Sequence, residues 1–115
     1  MSLDLSKMID IIEIMENYVE SIRPPEDLRD RLDITYTIDN QSIILEEVRH
    51  VFNNPSEYRN YGYAKTTFIK TSNTWKVYWM RSDLKWHLYE PCPEVTDLRE
   101  FIQLVEEDQH HCFKG

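Results

Sequence analysis

The sequence predicts an α+β domain: an N-terminal helix, a five-stranded antiparallel meander, and a C-terminal helix, with both helices on one face of the sheet. Three observations carry this. Apolar residues near the N-terminus recur every three to four positions. From residue 32 the period drops to two and holds for about sixty residues with no helical crossover. A helix-start signature then appears at Asp97.

Leu5, Met8, Ile12, Met15, Val19 and Ile22 make the first helix amphipathic. Asp4 is suited to cap it. Ile11, Ile14 and Tyr18 widen the apolar stripe beyond what five short strands can cover, so a homodimer hiding Ile11, Ile14 or Tyr18 is expected. Pro24-Pro25 ends the helix, because neither proline has an N–H and the preceding Arg23 is pushed out of the α region. The segment PEDLRDRL reads as a short helical turn.

Leu32, Ile34, Tyr36 and Ile38 alternate with polar residues as the first strand, with Asp39-Asn40 as a hairpin turn. The next strands fall at 41–51, 64–71, 75–81 and 85–90. Strands this close in sequence pair as antiparallel neighbours. Residues 52–63, FNNPSEYRNYGY, read as a long tyrosine-rich loop. Asp97 and Glu100 form a capping box ahead of Leu98, Phe101, Ile102 and Val105.

All three tryptophans lie between 75 and 86. With Ser82-Asp83 as a two-residue turn, Trp79 faces Trp86 and Val77 faces Leu88. With Ser72-Asn73 as the preceding turn, Phe68 faces Val77. Phe68, Trp75, Val77, Trp79, Trp86 and Leu88 then share the face under the helices, and the tryptophans are expected to be core. An odd-length turn would break this register. The opposite face would carry Lys65, Thr67, Ile69, Lys76, Tyr78, Met80, Lys85, His87 and Tyr89. From that set Lys65, Lys76, Tyr78, Lys85, His87 and Tyr89 are the candidate ligand-binding residues. Cations beside aromatic rings suit a phosphate, a carboxylate or a base.

The length of 115 residues gives a single domain, 1–115, large enough to fold without staples. The net charge is −8, distributed as −8 over residues 1–48, +5 over 49–87 and −5 over 88–115. Acidic helices thus flank a basic sheet. Any nucleic-acid or other anion binding should be weak and salt-dependent. No run is long enough to span a membrane and no signal-peptide core is seen, so a cytoplasmic protein is expected. Cys92 and Cys112 are expected to be thiols.

Glu47 and Arg49 fall on the apolar face at the end of the second strand. A partly buried, mutually neutralising pair is the simplest reading. The arrangement is also similar to the Asp and Glu-x-Lys pattern of restriction-type metal-dependent nucleases, with arginine in the lysine's place and Asp33 as partner carboxylate. That likeness implies, as the alternative function, an enzyme acting on a phosphorylated or nucleic-acid substrate. Cys92, His110, His111 and Cys112 lack zinc-ligand spacing, so no metal or other cofactor is expected. There is no glycine-rich phosphate loop, Cys-x-x-Cys or Ser-His-Asp order. A non-enzymatic binding or interaction module is the leading expectation.

Several segments carry a resemblance: RPP at 23–25, QS at 41–42, EVR at 47–49, WKVYWMRSDLKWHLYEP at 75–91 and the closing CFKG. Together they resemble a bacterial family known as the domain of unknown function number 3024, across nearly the whole chain. His111 and Lys114 depart from that family's tail, where Gly and Phe are expected. The resemblance implies one compact bacterial domain and no particular activity.

Overall fold

The computed structural model describes residues 4–51 and 53–114, excepting the side chain of Pro55. Helix α1 spans Leu5–Ile22. Asp4 caps it by accepting a hydrogen bond from the Lys7 N–H (2.8 Å). It ends at Arg23, whose extended backbone leads into the two prolines. A single 3-10 turn, Glu26–Leu28, follows. The strands are β1 (Leu32–Asp39), β2 (Ser42–Val51), β3 (Asn54–Ile69), β4 (Thr74–Met80), β5 (Trp86–Leu88) and β6 (Glu94–Val95), and α2 spans Leu98–Glu107. All strand pairs are antiparallel, in the order β1-β2-β3-β4-β5, with β6 also on β4. The predicted α+β class and meander hold, with one small strand added.

Both helices cover one sheet face. Ile11 and Met15 of α1, Ile43 and Leu45 of β2, Val77 of β4, and Phe101 and Val105 of α2 are almost completely buried there. The buried seam of α1 runs Ile11, Met15, Tyr18 and Val19. Ile11 and Tyr18 are therefore covered within the chain rather than left for a second subunit, and Ile14 is half-buried. The Tyr18 hydroxyl donates to Glu106 Oε1 (2.6 Å), tying the helices across 88 residues. Burial, and then that carboxylate, push the Tyr18 hydroxyl well above the ordinary phenol range.

Three registers differ from the sequence expectation, with unequal consequences. The first hairpin turns at Asn40-Gln41, where Asn40 takes the left-handed conformation (φ 59°). Tyr36 faces Leu45, where a turn at Asp39-Asn40 would have placed Ile34, and Leu32 faces Arg49. The β3–β4 connection is also longer, so Phe68 faces Trp75 rather than Val77. Both slips are of two residues and leave every side chain on its expected face.

The β4–β5 slip is of one residue. Met80 faces Trp86, Trp79 faces His87 and Tyr78 faces Leu88. Asp83 Oδ1 accepts the Lys85 N–H (3.0 Å) and Leu84 takes φ 62°, making an odd-length loop where a two-residue turn was expected. Trp86 and Leu88 therefore lie on the face away from the helices. Trp79 and Trp86 are not neighbours, and both are only half-buried; Trp75, 3% exposed, is the buried indole.

The expected loop at 52–63 is mostly strand. Phe52 lies outside the described residues, and Asn53, with φ 67°, sits in the turn between β2 and β3. From Asn54 the chain pairs with β2, Arg49 facing Arg59 and His50 facing Tyr58. Both faces of this strand section are wet, so it lacks the apolar alternation that reveals a strand. Between Leu45/Ala64 and Glu46/Gly62 the ladder has a bulge, with Tyr63 as the extra residue.

Candidate binding face of the sheet

The helices leave the other sheet face uncovered among the described residues. At its centre are neighbouring residues of β2 to β5. Lys65 faces Tyr78, Lys76 faces Thr67, and Trp86 sits opposite Met80. Three residues converge on one spot. The Lys65 ammonium lies 5.6 Å from the Tyr78 ring centre and 5.7 Å from the Trp86 ring centre. This is cation–π range, and the charge is shared between two rings rather than tied to a carboxylate.

Gly62 explains why the indole rests there. A Cβ at Gly62 would stand 2.9 Å from Trp86 Cζ2 and 3.1 Å from Ile44 Cγ2. The missing side chain lets the benzo edge of Trp86 settle against the main chain beside Ile44. Leu88 stays largely exposed next to this group. The result is a shallow aromatic platform, edged by Lys65 and Lys76, on a solvent-facing sheet.

Of the six residues expected on this face, Lys65, Lys76 and Tyr78 are there. Lys85 lies in the exposed β4–β5 loop. His87 is turned to the helix side by the one-residue slip, and its Nε2 lies 2.8 Å from Asp83 Oδ2. That bond, with the Lys85 N–H, holds the Asp83 carboxyl below the usual range. Tyr89 is buried, packed 4.8 Å from the Phe113 ring. Burial pushes its hydroxyl up. His87 and Tyr89 therefore leave the candidate set; Trp86, Gly62, Ile44 and Leu88 enter it. One local signal for the change existed: Asp83, whose side chain can close a longer turn through its own loop.

Glu47 and Arg49 pair with each other (Arg49 Nη2 to Glu47 Oε1, 3.2 Å). Arg49 is 52% exposed, so the pair is wetter than expected. Asp33 does not join them. It projects from the opposite face of β1, and Arg23 holds it through Nε (2.9 Å) and Nη2 (2.7 Å). The nuclease-like constellation is not assembled. Cys92 contacts the Glu94 carbonyl and Cys112 the His110 carbonyl, while His110 lies against Tyr89. Among the described residues no three His, Cys, Asp or Glu side chains are grouped to hold a metal ion, and no helix is long and apolar enough to cross a membrane. Burial raises the Cys112 thiol above its ordinary value, which disfavours a resting thiolate.

Comparison with known proteins adds a family. A model described as a domain of unknown function (DUF3024) matches residues 4–115. No curated protein and no solved structure matches the chain.

Proposed function

The chain belongs to this DUF3024 family, and we propose that it is a non-enzymatic module that binds single-stranded nucleic acid on the open face of its sheet. The observation that supports this reading is the Lys65 ammonium set between the Tyr78 and Trp86 rings on an uncovered face. Unpaired bases stack on aromatic rings for about 1–3 kcal/mol each, with little dependence on sequence. A neighbouring ammonium neutralises the phosphate that accompanies the stacked base. The net charge of −8 opposes this from a distance, so the affinity is modest and falls with salt. Two phosphate-directed lysines on a single strand correspond to a slope of about −1.4 in log affinity against log salt.

The test is fluorescence anisotropy with a labelled oligothymidylate of roughly ten nucleotides, at about 20 mM and about 150 mM salt. Binding at low salt, quenching of tryptophan emission, and loss of both in Trp86→Ala are expected. Lys65→Glu combined with Lys76→Glu should abolish binding while the domain stays folded, with a small fall in melting temperature from the lost cation–π contacts. Absence of binding at low salt, or equal binding by Trp86→Ala, overturns the proposal.

A further inference from the structure

A second surface lies at the edge of the sheet, where α1 runs beside β1. β1 pairs only with β2, so its outer edge carries main-chain groups without a ladder partner among the described residues. Proteins usually blunt such an edge with proline, lysine, a bulge or a covering segment. LDITYTID has no proline or lysine, and its register to β2 is unbroken over eight residues. Next to this edge lies a groove of about 570 Å³. Its floor includes Ile34, Tyr36 and Ile38 of β1, and its wall includes Ile12, Glu16 and Glu20 of α1. Leu5, Ile9 and Ile12 extend the wall as an exposed apolar stripe, spaced four and three residues apart; Leu5 is 77% exposed.

Charge decides what can lie there. The groove is lined by the carboxylates of Glu16, Glu20 and Asp33 against one arginine, Arg23. Asp33 is satisfied by Arg23, and Glu20 by Arg23 (3.5 Å) and Arg29 (3.9 Å). Glu16 stands exposed on the helix wall, where the Tyr36 hydroxyl donates a hydrogen bond to it. A second copy added antiparallel to β1 would set two acidic α1 helices side by side, which like-charge repulsion disfavours. An extended segment adding to β1 would send alternate side chains under α1, toward Ile12 and Ile34, and the others to the opposite face. A basic residue at one of the groove-facing positions would lie beside Glu16, while those sent to the opposite face would lie beside Asp33.

We propose that the β1 edge and the adjoining α1 groove form a docking site for an extended, basic peptide segment of a partner protein, bound by strand addition. Main-chain bonds to β1 supply the pairing, and alternate apolar side chains in the groove set the register. This reading is independent of the nucleic-acid face, since the two use different elements and substitutions.

The experiment titrates the isotope-labelled protein with an acetylated peptide of roughly nine residues alternating valine and lysine, with one central valine also changed to lysine so that a cation enters the groove. Amide shifts should be confined to β1 and the 12–20 section of α1, with a dissociation constant on the order of tens of micromolar. A peptide of identical composition with its valines and lysines in two blocks should bind at least about tenfold more weakly. So should one with proline at alternate positions, because it cannot donate to the ladder. Glu16→Lys should weaken binding of the peptide while the protein stays folded. The proposal is overturned if β1 amides do not shift, if the block and proline peptides bind equally, or if a valine–glutamate peptide binds as well. Concentration-dependent dimerisation through β1 without peptide would also overturn it, by making a second copy the occupant.

Discussion

Replacing Gly62 with alanine tests the aromatic platform through the seat of its indole. The new methyl would lie 2.9 Å and 3.2 Å from two Trp86 ring carbons and 3.1 Å from Ile44 Cγ2. Carbon atoms rest about 3.5–4.0 Å apart, so the closest contact is short by about 0.6–1.1 Å. Ile44 is held between buried Ile43 and Leu45 in mid-strand. Trp86 begins a three-residue strand and is half-buried, so the indole gives way. Repacking of this kind costs about 1–3 kcal/mol. The stiffer unfolded chain returns about 0.4–1 kcal/mol. The net loss is therefore at most about 2.5 kcal/mol, and the domain stays folded. Binding should suffer more visibly. Losing one stacked base removes about 1–3 kcal/mol, a roughly 5- to 140-fold weaker complex. The assay pairs a thermal melt and near-UV circular dichroism with oligothymidylate anisotropy. An altered tryptophan signal with unchanged affinity would refute the stacking role. An unaltered signal would refute the packing argument itself.

Two further outcomes follow from the polar contacts. Asp108 ends α2 in the left-handed conformation (φ 42°), and its carboxylate accepts the Phe113 N–H (3.1 Å) and the Lys114 N–H (2.9 Å). Asp108→Ala should cost about 1.5–3 kcal/mol in urea unfolding, with Asp108→Asn recovering part; a loss below about 0.5 kcal/mol would show that the tail is not held this way. The hydrogen bonds from Arg23 lower the Asp33 carboxyl, against a smaller opposing effect of burial. A depressed folded value means that this stabilisation is full above the unfolded value of about 3.9 and is lost as pH falls through the folded one. The urea midpoint of the wild type should exceed that of Asp33→Asn at neutral pH, and the gap should close below about pH 4; a gap undiminished at about pH 2 would contradict the assignment.

Much of the architecture was legible because its signals are local. Asp4, Pro24-Pro25 and Asp97 each mark a helix boundary through chemistry within four residues, and all three act where expected. Side-chain facing survived two wrong turns because both errors were even. It failed at Ser82-Asp83-Leu84, where a side-chain oxygen closes an odd loop that no apolar pattern announces. That one residue moved Trp86 onto the open face, and with it the centre of the binding platform. The strand from Asn54 to Gly62 was illegible for another reason: with solvent on both sides, nothing forces its side chains to alternate in polarity. Gly62 could be seen in the sequence, but its task depends on a tryptophan 24 positions away.

The bulge at Tyr63 gives β3 two reading phases. Before it, odd positions address the helix side, as Tyr61 does beside Glu47; after it, even positions do, as Ala64, Thr66 and Phe68 do. Tyr63 is thus punctuation rather than only a packed ring. A substitution there alters one side chain, and deleting it would merge the two phases with Gly62 still opposite Glu46. A one-residue deletion elsewhere between Asn54 and Gly62, with the bulge kept, would turn over every residue on its N-terminal side, exchanging the helix side for the open face. The length of this strand is therefore under a constraint that composition alone does not reveal, and tolerance to change along it is set by counting as much as by chemistry.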